Sequence, residues 1–155
     1  MMNESDVLKR MGERFPAADR DAATTSLRRV YLPMPVALLQ EALCYAKEEM
    51  GFGHLCAITG LDTEPGLEFM YHIANEAGIV LSLKFCAAGR EGITIPSVLP
   101  IYAGATFYER ELEGLLGVKV EGLPAGRQYP LPDNWPQGEY PMRKDWVPGA
   151  DRHQA

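Results

Sequence analysis

The sequence predicts an α+β fold with two layers, in which helices pack on one face of a mostly antiparallel sheet, and an extended proline-rich C-terminal tail. Two observations support the core: amphipathic helical stripes separate runs typical of strands, and three of these runs follow one another with only turns between them. A third concerns the end of the chain, where no period survives after Gly122 and prolines recur. We therefore expect a core domain over residues 1–122 and a partner-docking tail over residues 123–155.

The composition is that of one ordinary folded domain. Of 155 residues, 46% are hydrophobic and 23% are charged. The net charge is -6 and no basic block occurs, which argues against a nucleic-acid partner. No run approaches the roughly 20 apolar residues of a membrane span. We expect a cytoplasmic protein that meets a membrane only through other subunits.

The N-terminal part predicts one helix and one strand. Apolar residues at helical spacing indicate a helix from Glu4 to Phe15, with Ser5 as the candidate N-cap. Residues 16–25 are small and polar, which is typical of a loop. The run from Ser26 to Leu32 alternates like an edge strand and is ended by prolines.

The middle of the sequence predicts a helix followed by a three-stranded meander. Val36 to Met50 has the clearest helical stripe, and Gly51 and Gly53 end it. The three strands that follow are expected at residues 55–61, 67–73 and 79–85, joined by turns. The last of them alternates most cleanly, which predicts one buried and one exposed face.

A third helix is expected within residues 99–116, after an extended stretch at 93–98. Leu112, Leu115 and Leu116 form its apolar face, and the glycine at 117 is a typical left-handed stop. Residues 118–121 then alternate like one short strand. Between residues 123 and 145, five prolines exclude both helix and strand, whereas large apolar groups in the tail favour burial against another surface. These groups are Tyr129, Leu131, Trp135, Tyr140, Met142 and Trp146.

The sequence lacks the patterns of metal and cofactor sites. Its histidines lack metal-ligand spacing and are expected to be satisfied internally or exposed; they are His54, His72 and His153. Three cysteines are too widely spaced for zinc or an iron–sulfur cluster, and we expect small buried side chains; they are Cys44, Cys56 and Cys86. Gly51-Phe52-Gly53 lacks the third glycine and the strand-before-helix context of a dinucleotide fingerprint.

No catalytic group is predicted either. Ser97 is not in a nucleophile elbow, and Glu109 and Glu111, two residues apart on a helix, face different sides. We therefore predict no catalytic residue, no cofactor and no metal in this protein. Two charged runs remain, Glu109-Arg110-Glu111 and Arg143-Lys144-Asp145, and taken alone they are typical of a solvated face.

Several motifs in order resemble one family. They are Glu-Arg-Glu at 109–111, Gly117, Gly122-x-Pro124, Arg127, Pro-Asp-Asn-Trp at 132–135 and Pro-x-Arg-Lys-Asp at 141–145; upstream, Thr59-Gly60-x-Asp62, Tyr71-His72 and Pro-Ser-Val at 96–98 also match. This order resembles a family of small hydrophilic subunits of respiratory complex I, the NADH:quinone oxidoreductase. Members of this family are the partners of the hydrogenase-like large subunit, and they also occur in energy-converting hydrogenases. The matching stretch runs from about Gly51 to Trp146.

The resemblance implies a non-catalytic structural subunit of a membrane-associated NADH dehydrogenase (quinone)-type complex, peripheral on the inner face of the cell membrane. Its partners would be the hydrogenase-like large subunit and the iron–sulfur subunits. The charged runs then become partner-binding residues, together with tail residues: Glu109, Arg110, Glu111, Arg127, Trp135, Arg143, Lys144 and Asp145. Two alternatives stay open, the equivalent subunit of an energy-converting [NiFe] hydrogenase or formate hydrogenlyase, and a free-standing binding module.

Overall fold

A five-stranded sheet organises the protein in the computed structural model, which describes residues 2–18 and 23–148. Elements in sequence order are α1 Glu4–Arg14, β1 Thr24–Ser26, β2 Arg29–Pro33, α2 Leu39–Met50, β3 His54–Asp62, β4 Gly66–Ala74, β5 Val80–Ala88, β6 Thr94–Pro96, α3 Ala105–Leu116 and β7 Lys119–Glu121. The strand order in the sheet is β1-β2-β5-β4-β3, and β6 pairs separately with β7. The predicted α+β class with a mostly antiparallel sheet is confirmed.

One face of the sheet carries the core. Along β4, Leu67, Phe69, Tyr71 and Ile73 are fully buried, and this strand pairs with β3 on one side and β5 on the other. Helix α3 lies so close to β3 that a Cβ on Gly60 would stand 2.7 Å from a methyl group of Leu112. A side chain at position 60 would therefore displace the side chains of Leu112 and Leu116 where this helix crosses the strand.

The opposite face of the sheet is covered by no described helix. Its central residue is His72, whose ring nitrogens lie 2.7 Å from the Ser82 hydroxyl and 3.2 Å from the Thr59 hydroxyl. Partial burial lowers the pKa of His72, which favours the neutral ring that these two hydroxyls can bind. The expectation of an internally satisfied histidine is thus confirmed at this position. His54 is exposed, the other expected outcome, and His153 lies outside the described residues.

The helix ends follow the expected capping chemistry with one difference. Gly51 and Gly117 end α2 and α3 in the left-handed conformation, with φ of 74° and 73°. At the start of α1, however, Asn3 and not Ser5 is the N-cap, because its side chain and that of Asp6 bond each other's backbone N–H groups in a capping box. The first turn of the expected 36–50 helix is a separate 3₁₀ turn at Val36–Leu38.

The prediction of one edge strand at residues 26–32 was wrong. This stretch contains the turn of a hairpin, in which Arg28 takes a left-handed φ of 59°, and β1 forms the sheet edge. Strand β2 lies inside the sheet, parallel to β5. The pairing of β6 with β7 was not predicted, although both segments were expected to be extended.

The prediction of buried cysteines was also wrong. Cys44 and Cys86 are exposed and Cys56 is half-buried. Cys44 lies on the outer side of α2, and Cys86 lies on the open face of the sheet beside Glu68. These cysteines have apolar neighbours in the sequence but are not buried, because alternate residues of a strand, and opposite sides of a helix, face different environments.

Candidate functional site

Glu109 of the Glu-Arg-Glu motif is an interior residue with no solvent exposure. Its carboxylate accepts hydrogen bonds from the Ser97 hydroxyl at 2.7 Å and from the Val98 N–H at 2.6 Å. These bonds attach the end of β6 to α3. Burial raises the pKa of Glu109, an effect that the two hydrogen bonds oppose. Among the described residues no cation pairs with this carboxylate.

The hydroxyl of Tyr71 lies in the same interior region. Tyr71 is fully buried, and its hydroxyl has no hydrogen-bond partner in the described part of the protein. Burial, with the nearby Glu109 charge, raises the pKa of this phenol far above its ordinary range. The phenol therefore stays protonated, and its O–H is a donor that finds no acceptor among the described residues.

Arg143 holds the end of the tail on the core. Its Nε donates to the carbonyl of Leu116 at 2.7 Å, and its Nη2 donates to the carbonyl of Arg90 at 2.7 Å. Its third bond is to the carboxylate of Glu91, which is largely exposed. The guanidinium also stacks on Tyr140, 4.4 Å from the ring centroid. With a side chain only 5% exposed, Arg143 binds the last turn of α3 and the loop after β5 at once.

Asp62 is the second attachment point of the tail. Its carboxylate accepts two bonds from Arg90, at 2.6 and 2.9 Å, and one from the backbone N–H of Lys144 at 2.9 Å. The Arg90 hydrogen bonds are the largest cause of a pKa for Asp62 well below its usual range. The Lys144 side chain also pairs with Glu64. We call residues 139–146 the docked segment, because the N–H of residue 142 bonds the carbonyl of residue 115 as well.

The first part of the tail crosses the outer side of α3. Arg110 donates to the carbonyl of Pro124 at 2.8 Å, and the ring of Tyr129 meets the exposed ring of Phe107 edge to face at 5.3 Å. A Cβ on Gly114 would lie 3.0 Å from the Tyr129 carbonyl, so the two backbones are in close contact.

Arg127 lies farther along the same part of the tail. Its side chain is highly exposed and pairs with Asp133 at 2.8 Å. Both partners belong to the tail, and both are mostly exposed, so this pair does not attach the tail to the core. The guanidinium is therefore placed where another surface can reach it.

The two tryptophans of the tail lie together. Their ring centroids are 5.9 Å apart, and both indole N–H groups donate to Glu139: Trp135 to its carbonyl at 2.8 Å and Trp146 to its carboxylate at 3.0 Å. Both side chains are half-buried. Residues 123–148 contain no helix or strand, so these side-chain contacts give this part its order.

The predicted partner-binding residues thus fall into two groups. Glu109 and Arg143 are buried and bonded within the protein. The others keep part or most of their surface exposed: Arg110, Glu111, Arg127, Trp135, Lys144 and Asp145. Sequence reasoning did not single out Arg90, and it named Tyr140 only as a tail group that favours burial; both residues complete the attachment of the tail. For Glu109 a signal existed, since it shares the stripe of Leu112 and Leu116 at helical spacing.

The described ranges contain no group of three histidine, cysteine, aspartate or glutamate residues that could hold a metal ion. Within the same ranges, no helix has the length and apolar content that a membrane crossing requires. The polar clusters around Glu109, Arg143 and Asp62 join segments of the protein to one another and present no pair of acid and base side chains around a cleft.

Known proteins resemble this one over most of its length. It is 32% identical to a subunit of the F(420)H(2) dehydrogenase of Methanosarcina mazei, over 94% of this chain and 92% of that protein. It is 30% identical to hydrogenase-4 component G of Escherichia coli, over 90% of this chain but only 26% of that longer protein. A protein in the structure of the membrane-bound sulfane sulfur reductase, an archaeal respiratory membrane complex, matches with a TM-score of 0.80 and 28% identity, over 92% of this chain and 85% of that one.

The family model described as respiratory-chain NADH dehydrogenase, 30 Kd subunit, matches residues 33–152. This range contains the motifs from Thr59 to Asp145 and all the contacts that attach the docked segment. Because the matched range is well over half of the sequence, and a relative matched over nearly its full length agrees with it, the chain belongs to the family of the 30 kDa subunit of the respiratory NADH dehydrogenase.

Proposed function

We propose that this protein is a non-catalytic docking subunit of a membrane-bound, complex I-like oxidoreductase. It would bind the hydrogenase-like large subunit and support the subunits that carry the iron–sulfur clusters. The observation that carries the proposal is the position of the tail, whose exposed charged and aromatic groups lie against α3 while Arg143 and Asp62 hold its end on the core. We expect this surface to be ordered before the partner arrives, which would lower the entropic cost of binding.

The exposed members of the predicted set are the proposed direct contacts. Arg110 and Arg127 lie beside the aromatic pair Phe107 and Tyr129, and this combination of arginine with aromatic groups is typical of protein interfaces. Glu109 and Arg143 act as positioning residues, since they hold α3, the 97–98 segment and the tail in place. No electron-transfer step is assigned to any side chain of this protein.

A hydrogenase-type complex is the second candidate. It is favoured by the 30% identity to hydrogenase-4 component G over 90% of this chain. The same docking surface serves both complexes, because the terminal chemistry belongs to other subunits. The proteins that purify with this one distinguish the two candidates: flavin-binding proteins would favour the complex I-like enzyme, and nickel-binding proteins would favour the hydrogenase.

The test is purification of the tagged full-length protein from gently solubilised native membranes, with mass spectrometry of the proteins recovered with it. We expect a hydrogenase-like large subunit and iron–sulfur subunits among them. Recovery of the protein alone from the soluble fraction would overturn the proposal and favour a free-standing binding module.

A charge-reversal pair tests the surface itself. Arg127→Glu removes an exposed ion pair with Asp133, and Lys9→Glu removes an exposed ion pair with Glu13 on α1. Exposed pairs of this kind contribute about 0–1 kcal/mol, so both variants should fold equally well. We expect Arg127→Glu to lower the recovery of the large subunit and Lys9→Glu to leave it unchanged. Equal recovery of the large subunit with both variants would show that Arg127 is not part of the interface.

A further inference from the structure

Strand β3 forms one edge of the sheet, and no other described strand pairs with its outer side. It is the outermost strand, it is nine residues long, and it carries no charged side chain between its terminal residues His54 and Asp62. At the other edge, β1 has only three residues. Long uncharged edge strands are usually covered or interrupted, because their unpaired backbone groups attract other strands.

The register identifies the unpaired groups. Thr63 N–H donates to the Gly66 carbonyl at 3.0 Å, so residue 63 points its backbone groups toward β4. In an antiparallel pair these directions alternate, which turns Ile58 and Gly60 outward. A bulge between residues 55 and 57 changes the pattern, and there the Cys56 carbonyl accepts a bond from the Tyr108 hydroxyl. The open stretch is therefore residues 57–61.

A groove of about 210 Å³ runs beside this stretch, between β3 and α3. Its walls are apolar on the helix side, with Leu112, Leu115 and Leu116, and exposed Met142 of the docked segment lies at the same groove. Glu111 is the one charged residue that lines it within the described ranges. On the opposite face of β3, the leucine at position 61 is 41% exposed. A strand added at this edge would find apolar contacts on both of its faces.

We propose that an extended segment of a partner subunit adds to the edge of β3 at residues 57–61. Its apolar side chains would enter the groove, and a lysine or arginine would face Glu111. A second copy of this protein fits less well, since antiparallel pairing of β3 with itself places both copies of α3 on the same side, brings the two Glu111 carboxylates together and joins molecules of net charge -6. This inference rests on the proposed docking function and specifies one of its contacts.

Amide hydrogen exchange, resolved by residue, tests the proposal on the full-length protein, alone and in the complex purified from membranes. In the free protein the outward amides of Ile58 and Gly60 should exchange fast, while the inward amides of Thr59 and Leu61 are protected by bonds to β4. In the complex we expect the two outward amides to slow by at least about 100-fold, with little change in the inward ones.

A matched pair of variants tests the charge. Glu111→Lys alters the groove, and Glu76→Lys makes the same charge change at an exposed turn after β4. We expect only Glu111→Lys to lower the recovery of the large subunit. Recovery of the large subunit at the wild-type level with Glu111→Lys, or unchanged exchange at Ile58 and Gly60 in an assembled complex, would overturn this inference and leave the docking function standing. Failure of the wild-type protein to assemble would overturn both.

A dimer of the free protein in which the outward amides are protected would also overturn the inference, because a second copy of the protein would then occupy the edge of β3.

Discussion

Alanine substitutions at Gly51 and Gly117 distinguish the stability cost of backbone strain from the cost of disturbing the packing of the tail. Both glycines end helices of 12 residues, with nearly equal dihedral angles, φ 74° and ψ 21° against φ 73° and ψ 25°. Alanine in this left-handed conformation costs roughly 1–2 kcal/mol at either position. The surroundings differ, because a Cβ at position 51 meets nothing within 4 Å, whereas at position 117 three atoms of the Tyr140 ring lie within 2.6 Å.

We therefore expect Gly117→Ala to lower the free energy of unfolding more than Gly51→Ala does. The ring of Tyr140 must move, and it is stacked on the guanidinium of Arg143, so the added cost is that of overpacking, about 1–3 kcal/mol. Urea unfolding of the two variants measures the difference directly. Each kcal/mol also lowers the melting temperature by about 2–4 °C for a protein of this size.

Equal losses of stability in the two variants would refute the reasoning, because they would mean that Tyr140 does not lie against Gly117. Amide exchange gives an independent readout. Only Gly117→Ala should increase the exchange rate of the amides of Met142 and Lys144, which bond Leu115 and Asp62.

Three further substitutions probe the buried polar groups. Arg143→Ala should lower the free energy of unfolding by roughly 3 kcal/mol in urea titrations, because the carbonyl groups of Leu116 and Arg90 lose their hydrogen-bond donor. Arg127→Ala, which breaks only an exposed ion pair, should change it by less than about 1 kcal/mol, and similar values for the two variants would contradict the assigned contacts. Tyr71→Phe should raise the melting temperature by about 2–4 °C, since it deletes a buried hydroxyl that lacks a described partner, and a decrease would argue against this arrangement. Burial raises the pKa of Glu109, so the contribution of this side chain to stability is complete below its pKa in the unfolded protein, about 4.5, and declines as pH rises through its pKa in the folded protein. The Glu109→Gln variant should therefore gain stability relative to the wild type as pH increases. A stability difference that does not change with pH would contradict a raised pKa.

The sequence was a good guide where local chemistry decides the structure. Glycine after a helical stripe predicted the left-handed ends at Gly51 and Gly117, and alternation with turns predicted the meander of β3, β4 and β5. The N-terminal hairpin was not predicted because its turn places Arg28 in a left-handed conformation, which glycine or asparagine usually adopts.

The candidate site depended on long-range contacts that local patterns do not contain. Three consecutive charges at 109–111 suggested a solvated face, but the 3.6-residue period turns Glu109 toward the core beside Leu112, where it finds Ser97 and Val98. The bond between Lys144 and Asp62 joins residues 82 positions apart. Only the folded protein brings such groups together.

This separation along the sequence gives folding an order. Contacts distant in sequence form after local ones, because closing a long loop costs entropy that only an already formed site can offset. Arg143 needs the Leu116 carbonyl at the end of α3 and the loop that carries Arg90, and Lys144 needs Asp62 at the end of β3. We therefore expect the docked segment to fold last. If the proposed docking function is right, a newly made molecule would present its complete docking surface only after its core has folded, and assembly would then select folded subunits over immature ones.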